Sequence, residues 1–280
     1  NMARLTVSEA VPPVPDEYRA EIMTSRARAL ETLVAPYRRR LQIQTEVFMG
    51  TVFLEVIYAV LRNGHDLVMK DAENPDFIKK LFGSDDMHLL RKCPCPVWLM
   101  KSPEKPRYDC IVAAVDFNPL KPVGQEQSLN LEILELASSI SLSDKATLHV
   151  VHAWEAFAEI AMRVSSDVSA DSIAAHVDNQ YSLHQKGVYR LGEVLRERIP
   201  SDVYDSLSPA YHFPKGSAKR KIPELVEELQ ADLVVMGTVG RTGISGLFMG
   251  NTAEAIFDQL ACSVLAVKPP GFTTPVKLEN

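Results

Sequence analysis

The chain is poor in the features that mark nucleic-acid, membrane and metal-centred proteins. Lysine and arginine number 30 against 36 aspartates and glutamates, a net charge of −6 spread over both halves. The composition therefore supplies no basic face to neutralise a phosphate backbone, which disfavours DNA or RNA as a partner. Apolar stretches stay under ten residues, far below the roughly 20 needed to cross a bilayer, so no membrane partner is expected. The four cysteines, Cys93, Cys95, Cys110 and Cys262, form neither zinc-type Cys-x-x-Cys pairs nor a disulfide framework. Reduced thiols in a cytoplasmic protein are the simplest account of them. No Gly-Lys-Ser/Thr phosphate loop occurs, and no glycine fingerprint follows a first strand, which excludes the Walker and Rossmann patterns.

What remains is the balance of a folded globular chain, 46% hydrophobic and 24% charged over 280 residues, enough for about two domains. A repeat divides it. At an offset of 166, Gly50 falls on Gly216, Val60 on Val226, Asp66 on Asp232, Leu67 on Leu233 and Leu81 on Leu247. After a one-residue gap, an offset of 167 places Gly83 on Gly250, Cys95 on Cys262, Val97 on Val264 and Lys101 on Lys268. A period this long signals a duplicated domain. The polar segment Lys101 to Arg107, twice broken by proline, reads as the boundary. The division expected is a first domain over 1–104 and a second over 105–280.

In the second half, strands are expected at Asp109 to Asp116, Thr147 to Ala153, 209–215, 232–236 and 263–267. Helices are expected at 126–141, 169–199, 220–230 and from 252. This alternation implies right-handed crossovers and a parallel sheet covered on both faces. The fold class is α/β, two tandem doubly wound parallel-sheet domains. The first half carries strands at Leu5 to Val11, Leu41 to Phe48, Asp66 to Lys70 and Pro96 to Met100, and a helix over Glu17 to Arg40. Its counterpart of the first strand and helix is missing, so about 38 residues are expected before Asn1 if the repeat is complete.

The chemistry is expected between Gly237 and Gly250, where the chain leaves a strand, turns through glycines and enters a helix. Gly237 and Gly240 can supply positive φ angles and let N–H groups approach an anion. The helix after Gly250 adds its unpaired N–H groups. Asn251 equally suits a helix N-cap answered by Glu254 in a capping box.

This stretch resembles the universal stress protein signature: glycine, two residues, glycine, nine residues, glycine, then Ser or Thr. The likeness extends to Ile111–Asp116, Leu148–His152 and Ala261–Lys268, and Leu89–Trp98 with Gly237–Ser245 is similar to tandem E-type members. The resemblance implies strand order 3-2-1-4-5 and a bacterial, cytoplasmic stress-response regulator binding ATP or a related nucleotide, with Mg2+ accompanying it. On that likeness Asp116 holds the ribose side, and Ala114, Ala153 and Met236 line the adenine. Gly237, Val239 and Gly240 wrap the phosphates, with Gly250, Asn251, Thr252 and Ala253 closing over them. Asn251 departs from the signature, though its amide can still donate to phosphate.

The first half fails the same test, because Gly237 corresponds to Asp71 and Gly240 to Asn74, while Gly83-Ser84 keeps the terminal pair. Asp71 puts negative charge where a phosphate would lie. The resemblance also implies pairing through strand five, Val97 to Met100 with Val264 to Val267, as a pseudo-dimer within one chain, and leaves a homodimer open. Cys93-x-Cys95 is a redox or metal fragment only as the weaker alternative to packing. His149, His152, His176 and His184 lack a cysteine or carboxylate partner at ligand spacing, so no structural metal is expected. No general base, Mg2+-binding carboxylate pair or nucleophile stands beside the loop. A regulator outranks an enzyme, slow ATP hydrolysis stays open, and an interaction protein with an altered ligand site is the alternative.

Overall fold

The computed structural model describes residues 4–72, 85–101, 105–119, 125–238 and 249–278. The chain divides into two compact units, Asn1–His65 with Val276–Asn280, and Asp66–Pro275. The division at 65/66 differs from the proline-rich boundary suggested by the repeat.

In the first unit, β1 (Arg4–Val11) leads into α1 (Asp16–Val34), a 3-10 turn (Ala35–Tyr37), β2 (Gln42–Met49) and α2 (Val52–Asn63). The strands pair in parallel from Arg4↔Gln42 to Val11↔Met49. The first helix stops six residues before Arg40 because Pro36 lacks an N–H and clashes with the preceding turn. Gly64 closes α2 in the left-handed conformation, φ 66°, where a side chain is disfavoured.

The second unit contains β3 (Val68–Asp71), α3 (Asp85–Lys92), β4 (Val97–Met100), β5 (Cys110–Ala114), α4 (Gln125–Asp144) and β6 (Thr147–Val151). There follow α5 (Glu159–Val164), α6 (Ala170–Arg198), α7 (Ser201–Leu207), β7 (Ala210–His212), α8 (Ala218–Glu228), β8 (Leu233–Gly237), α9 (Asn251–Phe257) and β9 (Ser263–Val267). One seven-stranded sheet runs β3-β4-β9-β8-β5-β6-β7. From β5 onward the order is 3-2-1-4-5, as expected. Strands β5, β8 and β9 are buried almost throughout, so they read as unbroken apolar runs. Ile111, Ala113, Leu233, Val235 and Leu265 pack with Ile133, Leu134 and Ala137 of α4 and Val188, Leu191 and Leu195 of α6.

Strands β4 and β9 run antiparallel, with Val97 opposite Ala266, Trp98 opposite Leu265 and Leu99 opposite Val264. Under the repeat, Val97 is the counterpart of Val264 and Leu99 of Ala266. Each residue therefore faces its partner's mirror position about a centre at Trp98 and Leu265. Arg91 of α3 adds a 2.8 Å ion pair to Glu254 of α9.

Asp232, at the entry to β8, ties three segments together. Its carboxylate accepts the N–H groups of Asp109 and Cys110 at 2.8 and 3.1 Å and pairs with Lys105 at 2.6 Å. Burial opposes its ionisation, yet Lys105 and the two N–H groups outweigh that and hold the carboxyl below the usual range. Among the described residues no helix is long and apolar enough to cross a membrane.

Candidate functional site

The chain passes from β5 to β6 and β7 on one side, then returns to place β8 on the other side of β5. The carboxyl ends of β5 and β8 therefore flank a topological switch point, where crossovers diverge and leave a crevice. Ala114 and Met236 are directly opposed there, both buried at the strand ends. Ala153 lies two residues past the end of β6, half-buried. The structure thus gathers the expected adenine-side residues at three adjacent strand ends.

Asp116 follows β5 and is exposed. Its backbone is held from both sides by Asn130 of α4, whose Oδ1 accepts the Asp116 N–H at 3.0 Å while Nδ2 donates to the Asp116 carbonyl at 2.8 Å. Asn130 is 2% exposed, so this amide spends its hydrogen bonds on fixing one turn. The fixed turn holds Asp116 at the end of β5, on the exposed side of the strand end.

Beneath that turn is an aromatic and imidazole layer. Phe117 stacks on His152 with ring centroids 4.5 Å apart. His152 contacts the Val115 carbonyl through Nδ1 at 3.0 Å and His184 Nδ1 through Nε2 at 2.8 Å. A carbonyl only accepts, so His152 carries a proton on Nδ1 and donates it there. Gly187 of α6 makes room for Phe117, since a Cβ there would stand 2.2 Å from the ring.

At the end of β8, Gly237 does not adopt the positive φ that its place before a turn suggested. It continues the strand. Its missing side chain instead accommodates Leu129, whose Cδ2 lies 2.9 Å from where a Cβ would be. Thr238 is fully buried, with its N–H on the Val267 carbonyl at 3.0 Å, and its own carbonyl accepts the Gly250 N–H at 2.9 Å. That bond brings the start of α9 to the end of β8. Val239 and Gly240 lie outside the described residues.

Gly250 is the residue preceding α9, and no side chain caps the helix. Asn251 is the first helical residue, and Glu254 turns its carboxylate to Arg91. The capping box therefore does not form, because the carboxylate that would close it is engaged by α3. The N–H groups of Asn251, Thr252 and Ala253 lie in the first turn, where a helix has no internal acceptor to offer them. Ala253 is buried, while Asn251 and Thr252 are exposed.

The repeat-related place in the first half is occupied differently. Lys70, the counterpart of Met236, makes a 2.8 Å ion pair with Asp86, the counterpart of Ala253. Asp86 is 2% exposed. A buried carboxylate stands where the second half has a methyl group, in addition to Asp71, which ends β3 in place of Gly237. Gly83 and Ser84 lie outside the described residues.

Sequence reasoning singled out Asp116 but missed Asn130, Thr238 and Gly187. Asn130 had one signal, an amide set directly between Leu129 and Leu131. Among the described residues no cluster of three His, Cys, Asp or Glu could hold a metal ion. A surface cavity of about 350 Å³ between α1 and β2 is lined by Met23, Thr24, Ala27, Thr45 and Val47. With no charged group in its lining, it offers a phosphate little.

Comparison with known proteins bears on the family and the fold. Residues 108–268 match the model of the universal stress protein family. The chain is 33% identical over 235 residues to Universal stress protein E of Escherichia coli K12, covering 84% of this chain and 70% of that protein. A putative universal stress protein from Pseudomonas aeruginosa UCBPP-PA14 is similar in structure, with a TM-score of 0.66, 25% identity and coverage of 94% and 93%. A protein of unknown function from Pseudomonas aeruginosa PAO1 gives a TM-score of 0.64 at 26% identity, covering 94% of this chain and 82% of that one.

Proposed function

Because the chain belongs to the universal stress protein family, we propose that it is a stress-response protein binding ATP or a related nucleotide at the carboxyl ends of β5 and β8. The observation that carries this reading is the bond from Gly250 to Thr238. It sets the first turn of α9 beside the switch point, one strand away from the Asp116 carboxylate. Adjacent sugar hydroxyls suit a carboxylate acceptor, and phosphates suit the helix N–H groups and the glycine-spaced loop. Ala114, Ala153 and Met236 give the base an apolar floor. A Mg2+ ion brought with ATP would offset phosphate charge, and these residues bind and orient without a group placed to move a proton.

A second reading, an interaction protein with an altered ligand site, draws on the Lys70–Asp86 ion pair at the repeat-related place in the first half. The β4–β9 register further supports an intramolecular pseudo-dimer of two stress-protein domains.

Calorimetric titration with MgATP, ADP and AMP tests the proposal. Wild type is expected to bind at least one of them, and Asp116→Ala to bind it about 10- to 100-fold more weakly, the loss of a hydrogen-bonded charged acceptor. Unchanged affinity in the variant would remove Asp116 from the site. Absence of binding at millimolar nucleotide would overturn the proposal in favour of the interaction protein.

A further inference from the structure

Cys93 and Cys95 flank Pro94 between the end of α3 and the start of β4, and their Sγ atoms are 3.6 Å apart. Both are buried and unbridged. The backbone holds them in place, since the Cys93 N–H bonds the Leu89 carbonyl at 2.9 Å and Cys95 lies two residues before β4, the strand paired with β9. Lys268, just past β9, is 4% exposed. Its ammonium donates to the Leu90 carbonyl and lies 4.8 Å from the centre of the Phe272 ring.

The repeat distinguishes the two cysteines. Cys95 recurs as Cys262, so packing at the strand entrance accounts for one thiol per half. Cys93 falls on Leu260, which is 1% exposed. An apolar side chain thus satisfies that position in the second half, and a second thiol is peculiar to the first. The lysine is equally one-sided, because Lys268 is buried whereas its counterpart Lys101 is exposed.

We propose that Cys93 and Cys95 are a redox-active dithiol that hydrogen peroxide converts to a disulfide, with Lys268 supporting the thiolate of Cys93. The Cys93 sulfur attacks one peroxide oxygen, the O–O bond breaks, and the proton lost from Cys93 on ionisation returns on the departing hydroxide as water. The Cys95 sulfur then attacks the resulting sulfenic sulfur. The S–S bond forms, the S–O bond breaks, and the hydroxyl leaves with the Cys95 proton as a second water. Two thiols are oxidised and one peroxide is reduced.

The electrostatics agree with that order of events. The hydrogen bond from Cys95 lowers the Cys93 thiol against the opposing effect of burial, with Lys268 adding to the lowering, whereas Cys95 is pushed up. Burial brings Lys268 down to about 8, against the opposing pull of the two cysteines. Cys262 lacks this company and is pushed up by burial to about 12.

The test uses the native full chain treated with hydrogen peroxide, quenched, denatured, alkylated and digested with trypsin. The peptide Cys93 to Lys101 is expected to lose both alkyl groups and to regain them after dithiothreitol, while Cys110 and Cys262 stay alkylated. Cys95→Ser should stop at a sulfenic acid on Cys93 that dimedone labels. Lys268→Met should slow disulfide formation about tenfold at neutral pH, with circular dichroism reporting the fold. If Cys93 and Cys95 remain alkylated as fully as Cys262, the dithiol is not redox-active. A Lys268→Met variant that oxidises at the wild-type rate would overturn the role of the lysine. Should that variant fail to fold, the wild-type peptide and Cys95→Ser still decide the proposal.

Discussion

Phe117 and Gly187 share one volume. With the ring 2.2 Å from any Cβ at position 187, Gly187→Ala must displace Phe117 from His152 or push α6 outward. Overpacking of this kind costs about 1–3 kcal/mol, to be read as a lower urea midpoint; an unchanged midpoint would show that the ring has another place to go. Asp232 gives a pH prediction. Its folded-state carboxyl lies below the unfolded value of about 4, so on acidification the unfolded chain takes up the proton first. The stabilisation is complete above that value and fades as pH falls through the folded-state one. Asp232→Asn should therefore lower stability by about 1–3 kcal/mol at pH 7, and urea titrations should show the gap to wild type narrowing towards pH 3. Asp116 was legible because a carboxylate ending an apolar strand stands out in the sequence. Its support was not, because Asn130 meets it and Gly187 meets Phe117 only through tertiary packing, and the shape of Gly237 depends on Leu129 and not on its own turn.

At the scale of elements, the strands of the second half were legible to within about two residues at most ends, since buried parallel strands are short apolar runs between polar turns. Helices α5 and α7, six and seven residues long, escaped because two turns are too short to establish a 3.6-residue period. The end of α1 was misplaced because its surface polarity carries on past the proline that stops the backbone. Strand β4 provides the element's own prediction. Leu99 is fully buried opposite Val264, so Leu99→Ala should cost about 2–5 kcal/mol. Leu5→Ala, on an exposed position of β1, should stay within about 0.5 kcal/mol. Equal losses in chemical denaturation would contradict this placement of the core.

For the whole molecule, burial is unevenly shared. Among the described residues of the first unit, the buried apolar set is Val11, Leu30, Val34, Ile43, Ile57, Ala59 and Val60, while the remaining core belongs to the second. Hydrogen exchange should reflect this, with β1 and β2 amides exchanging before those of β5, β8 and β9. A single protection level across all five strands would argue that the units open together. The two offsets brought β4 and β9, which pair in the sheet, into correspondence. The division at 65/66 was not legible, because it depends on which strands share a sheet, and neither apolar pattern nor proline content records that.

The β4–β9 pairing has a consequence for how the two halves can differ. At the twofold axis of a dimer of identical chains, a central residue meets its own copy, and a tryptophan there would have to face a tryptophan. Here Trp98 faces Leu265, and the indole has room to reach the Tyr108 hydroxyl at 3.2 Å. Covalent linkage also holds the two edges at a high effective concentration, so a free strand from another molecule competes at a disadvantage. Joined in one chain, the halves can diverge, one keeping a crevice at its switch point and the other an ion pair, without any change being imposed twice.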